Sequence, residues 1–225
     1  MTGSGSRLAL DAHVASAESA PGHLIGWKAG LGGPGAIDTL HLQGALVGRL
    51  VAEGQLSSGT TVSVADWVNP RLEPEIAVRI GRRLTGDETP ESVIDAIAEA
   101  MPAFELVDVT GTLDDVPAIL RTNIYHRAIV LGAPLDPLEA LQGALPVTII
   151  AGARTVAHRK RATDAIGGIA TVIAHAARAV AAAGEAIESG QLVMTGSLVT
   201  PIPVVAGQDY LADLGRLGVV SLRTS

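Results

Sequence analysis

Pro70-Arg71-Leu72-Glu73-Pro74-Glu75-Ile76-Ala77-Val78 is the stretch whose reading decides the fold. Apolar and β-branched residues dominate 72–80, which predicts a strand. Alternate residues of a strand share a face, so Glu73 and Glu75 project side by side with Pro74 between them. Proline has no amide to give a ladder, and its presence predicts an edge or a bulge here. Adjacent carboxylates repel one another unless a cation lies between them. The apolar run that follows argues that the pair is not free in water.

A second strand is predicted at 103–109, after Pro102. There Glu105 shares its face with Ala103 and Val107. A lone ionised glutamate on such an apolar face is costly. Sharing one cation with Glu73 and Glu75 removes that cost, and three carboxylates with water suit a hard divalent ion, Mg2+ or Mn2+. Taken alone, these residues leave other readings open. Glu-x-Glu also suits a solvated strand face, and Glu105 can pair with an arginine.

Further strands are predicted at 24–31, 60–64, 128–131, 147–150, 192–195 and 219–222. Helices are predicted at 7–20, from a Thr89 cap to about 100, and from 163 to a stop at Gly184. Residues 32–35, Gly-Gly-Pro-Gly, read as a loop. Many short strands and a few helices, without regular βαβ alternation, give an α+β class with a mixed, irregular sheet.

Composition narrows the function. The chain has 225 residues, with 16 Lys and Arg against 23 Asp and Glu, a net charge of −7. That balance argues against a nucleic-acid partner. The absence of cysteine removes disulfides, zinc ribbons and thiol nucleophiles together. No uninterrupted apolar run reaches membrane-spanning length, and the Gly/Ser-rich start lacks the order of a signal peptide, so no membrane partner and a cytoplasmic location are expected. Gly32-Gly33-Pro34-Gly35 lacks the strand–helix context of a dinucleotide fingerprint, and neither a phosphate loop nor a Gly-x-Ser-x-Gly elbow occurs.

Four segments carry a likeness: Gly26-Trp27-Lys28-Ala29-Gly30-Leu31, Pro70 to Ala77, Pro102-Ala103-Phe104-Glu105-Leu106-Val107-Asp108, and Thr195-Gly196-Ser197-Leu198. In order and approximate spacing they resemble the 2-keto-4-pentenoate hydratase and 4-oxalocrotonate decarboxylase family of the fumarylacetoacetate hydrolase superfamily. The resemblance implies a mixed β-sheet roll over 24–225 behind a short N-terminal helical segment, 1–23. It implies Mg2+ or Mn2+ on Glu73, Glu75 and Glu105, with Lys28 on the substrate and Asn123, Thr195, Gly196 and Ser197 around it. It further implies a homo-oligomer that acts on a small 2-oxo or 2-hydroxydienoate substrate as a hydratase, through a metal-stabilised enolate. Decarboxylation and acylpyruvate-type C–C hydrolysis are the neighbouring alternatives. A ligand-binding or partner subunit is the alternative of another class.

The base is sought in the 32–44 segment, where His41 is the candidate proton shuttle because histidine titrates near neutrality. His126 is a candidate either for the border of the site or for a surface or interface position. The chain also departs from the family pattern. Leu46 stands where the family often has Asp, Val109-Thr110 replaces Ser-Arg, and Ile124-Tyr125 replaces Ala-Ser.

Overall fold

In a computed structural model describing residues 8–137, 141 and 143–225, the two acidic stretches form the longest strands. These are β5 (Pro70–Ile80) and β6 (Ile97–Asp108), which pair antiparallel along their length. Around them a curved sheet of eight strands runs β2 (Leu46–Val51), β1 (Leu24–Gly30), β10 (Leu192–Met194), β5, β6, β7 (His126–Leu131) and β3 (Gln55–Ser57), with β11 (Ile202–Pro203) also on β5. A second sheet of five strands runs β4 (Thr60–Val62), β13 (Val219–Thr224), β12 (Asp209–Asp213), β8 (Val147–Ala151) and β9 (Arg154–Arg159). Parallel pairs (β1–β10, β3–β7, β4–β13) among antiparallel ones make both sheets mixed, as the α+β reading requires. The main core, built round Trp27 and Phe104, is otherwise largely aliphatic.

Pro74 corrects one expectation, for it lies in the middle of the sheet and not at an edge. On one side β5 pairs with β6. On the other, β10 pairs with residues 77–79 and β11 with 71–72, so Pro74 falls in the gap between two short strands. Its carbonyl faces that gap and accepts from the Leu198 amide at 2.9 Å. The missing proline N–H therefore costs no ladder bond.

Helices are shorter than their composition suggests. Thr89 caps α2 (Pro90–Ile94) as expected, with a Thr89–Ser92 capping box, whereas α1 (Pro34–Thr39) begins inside the 32–35 stretch read as a loop. The α2 helix stops because 97–100 joins β5, where Arg79 and Glu99 pair across the ladder at 2.7 Å; pairing overrides helix propensity. The α3 helix (Val116–Arg121) had no distinct signal. The long helix begins later than predicted. Residues 162–166 form a 3-10 turn, Gly167 and Gly168 turn the chain at φ 74° and 96°, and α4 is Ile169–Ala182. The stretch Ala162–Ala182 is long and apolar enough in composition to cross a bilayer. Its glycine break and the burial of Ile169, Ile173, Ala176, Ala177 and Val180 mark a core helix.

The N-terminal helix is also replaced. Within the described part of 7–20 there are two 3-10 turns, Leu10–His13 and Ala17–Ser19, and Val14 between them bridges to Val47 of β2. Met1 to Arg7 lie outside the described residues.

Candidate metal centre

Register brings the acids together. Glu73 and Glu105 are directly opposed across β5–β6, and Glu75 lies two residues along on the same face. One carboxylate oxygen from each can be chosen so that all three lie within 4.8 Å of one another. Glu75 and Glu105 are fully buried, and Glu73 is partly exposed. The Gly196 amide donates to Glu75 Oε2 at 2.8 Å. Among the described residues, Glu75 Oε1 and Glu105 Oε2 have no hydrogen-bond partner, although both are buried. Buried acceptors are almost always satisfied, so two orphaned oxygens beside a third carboxylate fit a hard divalent cation.

The electrostatics agree. Burial, with the charge of Glu105, pushes the Glu73 carboxyl from 4.5 up to about 7 against the pull of Lys28. Burial and its two acidic neighbours push Glu75 well above the ordinary value. Burial would also raise Glu105, but the Lys28 charge and His126 outweigh it and hold that carboxyl below normal. Without a cation, the cluster thus keeps one charge on Glu105 and favours protons on its neighbours.

Lys28 reaches Glu105 although β10 and β5 lie between their strands. The sheet must curl to allow this, and β10 ends at Met194, the partner of Lys28, which opens the space beyond. The ammonium also donates to the Ile124 carbonyl at 3.2 Å. That carbonyl belongs to three successive left-handed residues, Asn123, Ile124 and Tyr125, at φ 52°, 56° and 59°. For β-branched Ile124 such a backbone is strained, and strain of this kind collects at functional sites. Gly48 permits the approach, since a Cβ there would lie 2.9 Å from Lys28 Cγ and 3.0 Å from Asn123 Oδ1.

A cavity of about 610 Å3 opens onto Glu73 and is lined by Thr195, Gly196 and Ser197 among others, within the usual size of small-molecule sites. Gly196 uses its amide on Glu75, the Thr195 hydroxyl donates to the Ile76 carbonyl at 2.9 Å, and the Ser197 hydroxyl donates to the Val199 carbonyl at 2.8 Å.

Three candidates do not line it. Lys28 is buried, with its ammonium on Glu105 and the Ile124 carbonyl. Asn123 is buried with its amide spent on β2: Oδ1 accepts from the Arg49 amide and Nδ2 donates to the Arg49 carbonyl, both at 2.8 Å. It locks the strained turn in place and does not line the cavity. His41 is exposed and absent from the cavity wall, because burial of its neighbour Leu42 in a small satellite core turns residue 41 outward. From the same 32–44 segment, Pro34, Ile37 and Gln43 line the cavity instead.

His126 belongs to the centre. Its Nδ1 donates to Glu105 Oε1 at 2.8 Å, leaving Oε2 free, and its side chain is 5 % exposed. A register shift between Leu106 and Val107 on the β6–β7 ladder sets β7 at this end. Sequence carries no signal for that shift.

Residues 48–221 match the family model described as fumarylacetoacetate (FAA) hydrolase C-terminal. The match includes all three glutamates and begins after Lys28. A 4-oxalocrotonate decarboxylase from a Pseudomonas species is 27 % identical over 203 residues, covering 89 % of this chain and 78 % of the relative. The 2-keto-4-pentenoate hydratase of Burkholderia vietnamiensis is 26 % identical over 200 residues, covering 88 % and 76 %. Among solved structures, 4-oxalocrotonate decarboxylase from Pseudomonas putida G7, complexed with magnesium and adipate, superposes with a TM-score of 0.85 at 23 % identity, over 93 % of this chain and 81 % of that one.

Proposed function

The chain belongs to the fumarylacetoacetate hydrolase family, and on that premise we propose that it is a divalent-metal-dependent lyase, a hydratase of 2-hydroxy-2,4-dienoates and related 2-oxo acids. The observation that carries this reading is the pair of orphaned carboxylate oxygens on Glu75 and Glu105, beside Glu73 at the cavity wall. Relatives named as hydratases and a solved neighbour holding magnesium support it.

Glu73, Glu75 and Glu105 would hold a divalent cation, Mg2+ or Mn2+, which would supply Lewis acidity toward the keto group of a 2-oxo acid. The chain's own groups set the rest. Three ionised glutamates and a dication sum to −1, and the Lys28 ammonium offsets this so that an anionic substrate is not repelled. His126 and Lys28 both hold Glu105 Oε1, which fixes the carboxylate with Oε2 toward the cluster. Gly196 does the same for Glu75. The apolar walls Ala29, Leu31, Ile37 and Val172 flank the extended chain of a dienoate.

Decarboxylation is the second reading, favoured by the 4-oxalocrotonate decarboxylase relative. NMR product analysis on a panel of 2-oxo and 2-hydroxydienoate substrates separates the two: a 4-hydroxy-2-oxo acid marks hydration and released CO2 marks decarboxylation. Glu73→Ala and Glu105→Ala are expected to lose Mg2+ binding and turnover together; full retention of both would remove the site. Metal and oxalate binding without turnover on any substrate would instead mark a binding subunit. We also propose a homo-oligomer, supported by the exposed side chains Val68, Val205 and Val219; a monomer by analytical ultracentrifugation would refute it.

A further inference from the structure

The N-terminal segment 8–15 holds one wall of the cavity. The Leu8 amide donates to the His41 carbonyl at 3.1 Å, Gln43 Nε2 donates to the Leu8 carbonyl at 2.8 Å, and the Ala15 amide donates to the Val47 carbonyl at 2.8 Å. Gln43, Gly44 and Ala45 in turn line the cavity. Of residues 8–15 only His13 and Ala15 are buried, so the one large side chain anchoring the segment is an imidazole. That ring packs against His175 of α4, with the centroids 5.8 Å apart. His13 Nε2 lies 3.3 Å from the Leu8 carbonyl, which can only accept, so the neutral ring carries its proton there. Nδ1 is then bare and buried, with no hydrogen-bond partner among the described residues. His175 Nε2 donates to the Ala45 carbonyl at 2.9 Å, and Gly44 makes room for the ring, since a Cβ there would lie 2.5 Å from its Nδ1.

From this we infer that residues 8–15 form an acid-released strap: when His13 and His175 take up protons the segment lifts off α4, and the 43–45 wall of the cavity loses its hold. Two facing, buried imidazoles suit the packed strap only while they are uncharged. Burial is the largest influence on both rings and lowers both pKa values. The charges of His13 and Arg178 lower His175 further. Asp11 and the Leu8 and Ala45 carbonyls pull His13 upward, and Ala45 does the same for His175, without prevailing. The 41–47 segment presents carbonyls and the Gln43 amide to the strap; its titratable side chain, His41, is exposed. In the lifted state the rings regain water and titrate near the ordinary 6.5. The packed strap is therefore at full strength above 6.5 and weakens as pH falls below it. A segment with so few buried apolar contacts can open while the core stays folded. The strap works in this way whatever reaction the cavity serves.

The test is hydrogen–deuterium exchange by mass spectrometry on the full chain in EDTA, at pH 7.5 and pH 5.5, corrected for the intrinsic pH dependence of exchange. The peptide covering 8–15 is read against those covering β5 and β6. Opening of 8–15 is expected to rise about tenfold between the two pH values for each histidine that takes its proton only in the open state, while β5 and β6 stay protected. The acid cluster cannot mimic this, because without metal Glu73 keeps its proton in acid and the fold tightens there. His13→Phe/His175→Phe keeps two rings of similar size and is expected to leave 8–15 protected, with a change of less than about twofold across the same interval. Should that variant be open already at pH 7.5, His175→Gln carries the test, with a response about tenfold smaller than that of the wild type. No rise in the wild type, a rise shared by β5 and β6, or a response undiminished by these substitutions overturns the inference.

Discussion

Replacing Glu73 by glutamine should stabilise the metal-free protein and remove its response to Mg2+. Glu73 has an ordinary value of 4.5 and is pushed to about 7 by burial and by Glu105. Below 4.5 the carboxyl is protonated in both folded and unfolded chains, and it contributes nothing to the difference. Between 4.5 and 7 the unfolded chain loses the proton while the folded one keeps it, so stability falls as pH rises and levels off above 7. At 1.36 kcal/mol per pH unit the full interval amounts to about 3 kcal/mol. Water in the cavity screens part of this, so about 2 kcal/mol is the expected gain for Glu73→Gln at pH 8, and less than about 1 kcal/mol at pH 5. For a chain of this length that is a rise in Tm of about 4–8 °C. Calorimetric or fluorescence melts in EDTA at both pH values measure it. Added Mg2+ at a hundred times its Kd should reverse the order, since it stabilises the wild type by about 2.7 kcal/mol and the variant far less. Metal-free melting curves that stay superimposed from pH 5 to pH 8 would refute the electrostatic account of the cluster.

Other consequences follow from the same geometry. Because a cation must displace the protons favoured on Glu73 and Glu75, Mn2+ affinity should climb as pH rises through about 7, by up to about tenfold per unit for each proton released; a flat titration from pH 6 to 8 contradicts this. His126→Phe keeps the ring's bulk but removes the hydrogen bond to Glu105, and Mg2+ binding by calorimetry should weaken about tenfold with an unchanged circular dichroism spectrum. Asn123→Ala strips two buried hydrogen bonds from the Arg49 backbone, and chemical denaturation should show a loss of about 2–4 kcal/mol; a loss below about 0.5 kcal/mol would deny Asn123 its role as a lock.

Chemistry marked the acids as candidates, and the family resemblance singled out the set of three. A glutamate flanked by Ala103 and Val107, and a Glu-x-Glu ahead of Ile76-Ala77-Val78, conflict with their surroundings, and such conflict is visible without coordinates. What escaped depended on neighbours distant in sequence. Pro74 suggested an edge because the rule concerns one strand, whereas the outcome depended on where two others, β10 and β11, stop. His126 was one of six histidines, and only a register shift on a ladder it does not announce sets it on Glu105. His41 was chosen for its titration range, and Asn123 for a family position. Neither criterion registers that a neighbouring leucine is buried or that an amide is already spent on a strand.

The same conflicts explain why the centre sits where it does. Burying three carboxylates together opposes folding, and strained φ angles at 123–125 oppose it again. Both costs fall on residues that converge on one point: the turn aims the Ile124 carbonyl at Lys28, and Lys28 holds the one glutamate that stays ionised. The scaffold around them is a long ladder, with β5 and β6 paired without a register shift from Pro70–Asp108 to Arg79–Glu99. A long antiparallel ladder can hold like charges in opposition without separating, where a short edge strand would slip or fray. The fold thus keeps the cluster primed for a cation, because ionising Glu73 and Glu75 together becomes favourable only when a positive charge arrives between them.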